Sequence, residues 1–388
     1  MTLRTIAPAI VPLTLIAALL GGCGGTTPNI APPASSIQSR VDGFSIDDSA
    51  WAKLGYRRDW TGFPFVSGGA RITFVRPSAD IVAVQESGST VSVLDAQNGS
   101  VRWSNTIAGP LNRYVGLTRY RDPSRGDVIL ACSDSDIRFL NTQTGNLVTT
   151  QRLERVANSA PVIVGGMASF GSPAGEYFGH NLNYGARAWG FATGNSIDTQ
   201  PILVGGDNGI VGMVTQNGSV IFLDPFSGNI QSRTRIFTGL GTNPVTDGAL
   251  LIVGSLDQSI YAIAPNSNLI WQHRTSSPIN IQPACIAGRV YATITDGNND
   301  TGLVCLDSAS GKKLWFTKGV SGTVFATRAG SLLVRTSTGV TTIDAKRGDV
   351  LDTIAFPGVR SITPDALNDG NLYVASESGL IVKFVPKQ

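Results

Sequence analysis

Apolar and polar positions along this chain repeat one short pattern. A strand-like apolar run ends in Leu or Ile, followed by Asp, three turn residues and Gly, often with Trp four residues later. Clear copies are Leu94-Asp95 to Gly99 with Trp103, Leu223-Asp224 to Gly228, Leu306-Asp307 to Gly311 with Trp315, and Ile343-Asp344 to Gly348. Degenerate copies stand at Leu140-Asn141 to Gly145, at Gly185 with Trp189, and at Ile263 to Asn268 with Trp271. Asn268 is expected to adopt the left-handed conformation that Gly adopts in the others. The turn positions 99, 145, 185, 228, 268, 311 and 348 are separated by 46, 40, 43, 40, 43 and 37 residues. A period near forty predicts a propeller or a solenoid.

A second marker keeps the same time. Pro161, Pro201, Pro244, Pro283 and Pro364, spaced by 40, 43, 39 and 81 residues, are each read as opening an innermost strand. A further turn follows them at Gly165-Gly166, Gly205-Gly206, Asp247-Gly248, Ala287-Gly288 and Asp369-Gly370. Each unit is therefore four short strands in a meander, one propeller blade. The chain ends at Gln388, where the next turn is due, and leaves the last blade one outer strand short. The stretch 51–62, with Trp51 and Trp60, is the strand-like piece available to supply it. The fold class predicted is all-β: an eight-bladed propeller of four-stranded antiparallel blades, with an N-terminal strand closing the last. Such closure removes an open sheet edge. In the repeat, Asp is expected to accept backbone N–H bonds, Gly to take the positive φ, and Trp to pack between blades.

The N-terminus follows another pattern. Arg4 precedes an apolar run over 6–20, and Gly21-Gly22 stand directly before Cys23, the layout of a cleaved secretion signal. The run is interrupted by Pro8 and Pro12 and falls short of the ~20 residues a spanning helix needs. Leu20-Gly21-Gly22-Cys23 is similar to the lipobox of bacterial lipoproteins, which implies lipidation of Cys23 and cleavage before it. Gly24, in place of Asp, implies sorting to the outer membrane. The expected organisation is a signal peptide over 1–22, a lipidated cysteine and flexible tether over 23–42, and the propeller over 43–388. Residues 24–39 are Gly, Thr, Pro, Ala and Ser-rich and uncharged, a composition that does not bury enough surface to fold.

Composition agrees with strands and turns. There are 45 Gly, charged residues are only 15%, and no amphipathic helix stands out. A formal charge of +3 gives little support to a nucleic-acid partner.

Leu-Asp-x-x-x-Gly-x-x-x-Trp, with Asp-Gly between strands, resembles the repeat of the pyrroloquinoline-quinone-like propellers, a family with both quinone-dependent dehydrogenases and cofactor-free members. An eight-bladed ring directly after a lipobox is similar to the BamB lipoproteins of that family. So is the run Val204-Gly205-Gly206-Asp207-Asn208-Gly209. The resemblance implies a non-enzymatic scaffold without a cofactor, working as a monomer within a complex. Its partner would be a BamA-like, barrel-inserting outer-membrane protein on the periplasmic side. In BamB, Leu, Arg and Asp residues in the loops leading into the fourth and fifth blades touch that partner's periplasmic repeats. Here the matching segments are 192–200, with Asp198 but neither Arg nor Leu, and 239–243, with Leu240 and no carboxylate. The family's contacts are therefore not transferred. Asn195, Asp198, Leu240, Thr242 and Asn243 stand as this chain's own candidate partner-binding residues.

Two rivals remain open: a propeller binding an envelope ligand or polysaccharide, and a quinone dehydrogenase. The second is expected to show adjacent cysteines, and Cys132, Cys285 and Cys305 are separate. Cys285 and Cys305 fall on the first and third strands of one blade, ~9–10 Å apart, so free thiols are expected. His180 and His273 lie on different blades and read as surface or packing residues. The Ser308-Ala309-Ser310-Gly311-Lys312-Lys313 run lacks the first Gly and the Ser or Thr after Lys of a phosphate loop. The 296–302 loop alternates oxygen ligands but departs from the EF-hand positions, and a solvated hairpin is the better reading. Arg57, Arg58, Arg113, Arg119, Arg121 and Arg125 read as a solvated rim.

Overall fold

Eight four-stranded antiparallel sheets surround a central axis, seven of them built from consecutive strands and the eighth from both ends of the chain. The computed structural model describes residues 34–44, 47–109, 112–206 and 209–387, with side chains from residue 37 onward. The signal sequence, Cys23 and Asp207-Asn208 lie outside the described residues. Blades 1 to 7 span 72–106, 114–152, 162–192, 202–235, 245–274, 284–318 and 323–355. Blade 8 takes three strands from 359–386 and its outermost strand, β1 (Tyr56–Gly62), from the N-terminus. β1 runs antiparallel to the last strand, from Tyr56↔Pro386 to Gly62↔Ile381.

The core is not one mass but eight slabs, each between two blades. One holds Ile81, Val93 and Trp103 of blade 1 against Leu117, Ile129 and Leu140 of blade 2, and the other seams repeat the arrangement. Middle strands are consequently buried on both faces, as in Ile81–Glu86 and Leu372–Ser376, whereas outer strands such as Leu147–Arg152 are largely exposed.

The repeat motif locks these seams. Asp95 Oδ1 accepts the N–H groups of Gln97 and Asn98, and Asn141, Asp224 and Asp344 do the same in their turns. The residue after the Asp (or its counterpart) then offers its carbonyl to the blade before. Trp60 donates to Ala96 O at 3.0 Å, Trp103 to Thr142 O at 2.9 Å, Trp189 to Pro225 O at 3.2 Å, Trp271 to Ser308 O at 2.7 Å and Trp315 to Ala345 O at 3.2 Å. Where Trp is missing, Gln151 reaches Leu182 O at 2.7 Å and Ser232 reaches Pro265 O at 2.5 Å. The eighth seam is closed otherwise. Arg328 of blade 7 donates to Gly55 O at 3.2 Å, to Asp369 at 2.9 Å and to Lys387 O, clamping the two ends of the chain together.

Several expectations need correcting. Trp51 is not in a strand: it lies in helix α2 (Asp48–Lys53), where it is fully buried between Phe356 and Phe384, and the strand begins only at Tyr56. Pro364 ends the first strand of blade 8 instead of opening it, whereas Pro161, Pro201, Pro244 and Pro283 do directly precede theirs. The left-handed residue of the fifth turn is Ser267, φ 66°, because that turn is one residue shorter than the others and moves the position back from Asn268. Helix α1 (Ala34–Asp42) occupies part of the expected tether. Arg40 anchors it, donating to Pro64 O at 2.8 Å, while Ser378 Oγ donates to Arg40 O. Two rim arginines are structural: Arg119 bridges Asp80 and Asp127, and Arg125 pairs with the buried Asp122.

Candidate functional site

The ring has two chemically different faces. On one, the turn between third and fourth strands of blades 1, 3, 6 and 7 bonds to the turn between first and second, as in Ala96 N to Asp80 O and Ser308 N to Gly288 O. This is the latch face. On the other, loops leading from one blade to the next bond to turns between second and third strands, as in Gln216 N to Ser196 O and Leu256 N to Gly239 O. These lead-in loops carry the candidate residues, and α1 is pinned to the same face through Pro64 and Ser378.

Four candidates meet there. Asp198, Leu240, Thr242 and Asn243 line an open hollow of about 430 Å³ across the lead-in loops of blades 4, 5 and 6. Asp198 is exposed yet held in place: it accepts hydrogen bonds from Asn158 Nδ2 at 2.6 Å, from Gln216 Nε2 at 2.6 Å and from Ser196 Oγ. The adjoining Ile197 is fully buried and fixes the loop. Asn243 Oδ1 accepts from Gln200 N at 2.8 Å and ties the two loops to each other. Leu240 is buried, with a backbone bridge to Ser255, so it supports the floor more than it projects. Asn195 is not among the lining residues; its carbonyl accepts from Thr193 Oγ1 at 2.7 Å within the preceding turn.

Sequence reasoning missed the far wall, formed by Gln216, Asn280 and Gln282. An amide residue directly before Pro201, Pro244 and Pro283 was the available signal, since Gln200, Asn243 and Gln282 occupy equivalent places in successive loops. One carboxylate ringed by amides and hydroxyls on a rigid frame offers hydrogen-bonding capacity in both senses. The hollow holds no histidine or cysteine to act as base or nucleophile.

The remaining candidate chemistry resolves into structure. Asp296 caps its own hairpin by accepting from Asn298 N and Asp300 N, and Lys318 occupies Asp300 at 2.7 Å. Among the described residues no group of three or more His, Cys, Asp or Glu is placed to hold a metal ion. His180 is buried and hydrogen-bonded to Gln151, and its burial lowers its pKa. Among the described residues Cys132, Cys285 and Cys305 are unpaired, and burial pushes Cys132 and Cys285 up to about 12 and Cys305 to about 11. With so little thiolate at pH 8, none of the three should react with Ellman's reagent in native protein of a Cys23→Ala background, and all should react after denaturation. Prompt labelling before unfolding would contradict this burial.

Comparison with known proteins agrees with the architecture. Residues 50–191 and 216–387 match the profile of the family described as "Outer membrane protein assembly factor BamB". The unmatched interval, 192–215, contains Asn195 and Asp198. Proteins of that name from Nitrosomonas eutropha and Burkholderia pseudomallei are 25% and 26% identical over 170 and 165 residues, or 43% and 42% of this chain. Those stretches span only 36% and 38% of the two relatives. The crystal structure of BamB from Moraxella catarrhalis superposes with a TM-score of 0.62 at 17% identity, covering 84% of this chain and 97% of that one. The computationally designed Ika8 protein superposes with a TM-score of 0.64 at 15% identity, covering 85% and 99%, which marks the likeness as one of fold. With its repeat, its ring closure and a profile match along most of its length, the chain belongs to the outer membrane protein assembly factor BamB family.

Proposed function

We propose that this protein is a non-catalytic scaffold, anchored in the outer membrane by lipid on Cys23 and facing the periplasm, that assists β-barrel assembly by docking a barrel-inserting partner on its lead-in loop face. The observation that carries this reading is the hollow around Asp198 and Asn243, where four of the five candidate residues converge on a rigid frame. Helix α1 is pinned to that same face. The ten residues between Cys23 and Ala34 reach ~33 Å when extended. Tethering by the anchor then raises the local concentration of the face at the membrane, and binding gains without any new contact.

The test is a pull-down of tagged, lipidated protein from gently solubilised membranes of its own host. A barrel-inserting outer-membrane protein with periplasmic repeats should be recovered. Cys23→Ala should shift the bait to the soluble fraction. The double variant Asp198→Arg/Asn243→Arg should cut recovery about tenfold, the ~1.4 kcal/mol scale of one lost hot spot. Intact, abundant bait that recovers no such protein would end this assignment.

A further inference from the structure

A second hollow, of about 420 Å³, opens on the same face farther out, between the lead-in loop of blade 5 and that blade's outer strands. It lies within the usual size of small-ligand sites, ~300–1,000 Å³. One side is the ring of Phe237, which is 88% exposed. No other large apolar side chain on the described surface is so open, and nothing in the fold requires it there. The facing wall is polar and regular. Ser259 pairs with Arg274, and Tyr261 with Gln272, across two adjacent strands, so all four side chains share one face.

The wall has unused hydrogen-bonding capacity of both kinds. Asp257 Oδ2 accepts from Tyr261 Oη at 2.6 Å, and Asp257 Oδ1 is buried out of reach of the hollow, with no partner among the described residues. Gln272 Nε2 donates to Ser259 Oγ at 3.0 Å and Tyr261 Oη at 3.3 Å, leaving its Oε1 without a partner among the described residues. Arg274, which lines the same hollow, makes no ion pair among the described residues. We infer that this hollow binds a neutral saccharide: one pyranose ring stacks its C–H face on Phe237, and its vicinal hydroxyls bridge Gln272 and Arg274. Each hydroxyl both donates and accepts, matching a wall with one free amide oxygen and one free guanidinium. A charged ligand would leave either Asp257 or Arg274 opposed to like charge. The inference is independent of the docking role proposed above.

Isothermal titration of the full soluble chain (Cys23→Ala) with cellotetraose, maltotetraose and tetra-N-acetylchitotetraose tests it and separates glucan from amino-sugar sources. At least one should bind saturably, and Phe237→Ala should weaken that binding about tenfold, the upper range of a lost aromatic contact. Gln272→Ala should weaken it as well, with the unfolding midpoint unchanged in both variants. No saturable binding of any of the three up to about 10 mM, weaker than the ~4 kcal/mol of a millimolar site, overturns the inference. So does binding that Phe237→Ala leaves intact. Loss of the barrel-inserting partner in Phe237→Ala pull-downs, without saccharide binding, would reassign the ring to protein docking.

Discussion

Replacing Trp51 with Ala should lower the stability of the ring by about 3–5 kcal/mol, the range for deleting a large buried aromatic side chain. The seam between blades 7 and 8 is the place where the two ends of the chain meet, and it has no turn for a latch to grip. Trp51 fills it. Its ring lies 4.4 Å from Phe356 at 24° and 4.0 Å from Phe384 at 16°, a stack joining α2 to both blades. Removing it leaves a void beside Leu333, Val340 and Val382, in the slab that holds β1 in place. Urea unfolding followed by circular dichroism measures the loss. Trp51 Nε1 is buried without a hydrogen-bond partner among the described residues, so the indole contributes shape and not polarity. Trp51→Phe should therefore recover most of the stability, costing less than about 1.5 kcal/mol. If Phe proves as damaging as Ala, the indole nitrogen has a role this packing does not explain. If Ala costs under about 1 kcal/mol, the seam is closed by Arg328 and the β1 ladder alone.

The ring was legible in the sequence because each residue of its repeat is constrained twice. Gly99 needs a positive φ of 74°, and a Cβ there would stand 2.4 Å from the Trp60 ring. Asp95 caps its own turn, while Ala96 beside it receives the latch of the preceding blade. Double constraint keeps spacing regular, and regular spacing can be counted. The misreadings fall where only one constraint acts. Trp51 obeys no repeat period and packs from a helix, so its type suggested an outer strand that its position denies. Pro364 matched a two-unit spacing by coincidence. Residue 364 closes a strand next to Leu372, where a missing N–H is equally tolerated. The N-terminal helix is short and Ser-rich, its Ile37 is only partly buried and its Val41 exposed, and it is held by Arg40 and Ser378.

The candidate site was legible only in part, for a related reason. The resemblance to BamB pointed to the loops before Pro201 and Pro244, so Asp198, Thr242 and Asn243 could be named from sequence. What a loop residue faces depends on the neighbouring blade, some forty positions away. Gln216, Asn280 and Gln282 join the hollow, and Asn195 is not among its lining residues, through contacts that no local pattern records. Phe237 belonged to no repeat position and became conspicuous only through its exposure.

Gly145→Ala should be a costly single-methyl addition to the ring, at about 2–5 kcal/mol. Gly145 has φ 72°, where an L side chain costs roughly 1–2 kcal/mol. Its Cβ would also stand 2.5 Å from two ring atoms of Trp103, and overpacking of this kind adds about 1–3 kcal/mol. Trp103 has little room to yield, since its Nε1 is bonded to Thr142 O, and Asn105 Nδ2 bonds to Gly145 O in the same turn. Gly126→Ala is the control: φ is 77° but the Cβ would point into open space, so only the conformational penalty remains, near 1 kcal/mol. A difference of about 1–3 kcal/mol between the two variants in urea unfolding measures the clash with the neighbouring blade. A double-mutant cycle locates it. Trp103→Ala is destabilising by itself, but with the ring gone the added methyl meets nothing, so Gly145→Ala should then cost no more than Gly126→Ala. Equal penalties for Gly145→Ala with and without Trp103 would mean that blades 1 and 2 are joined by their apolar slab alone, and that the latch follows the packing instead of enforcing it.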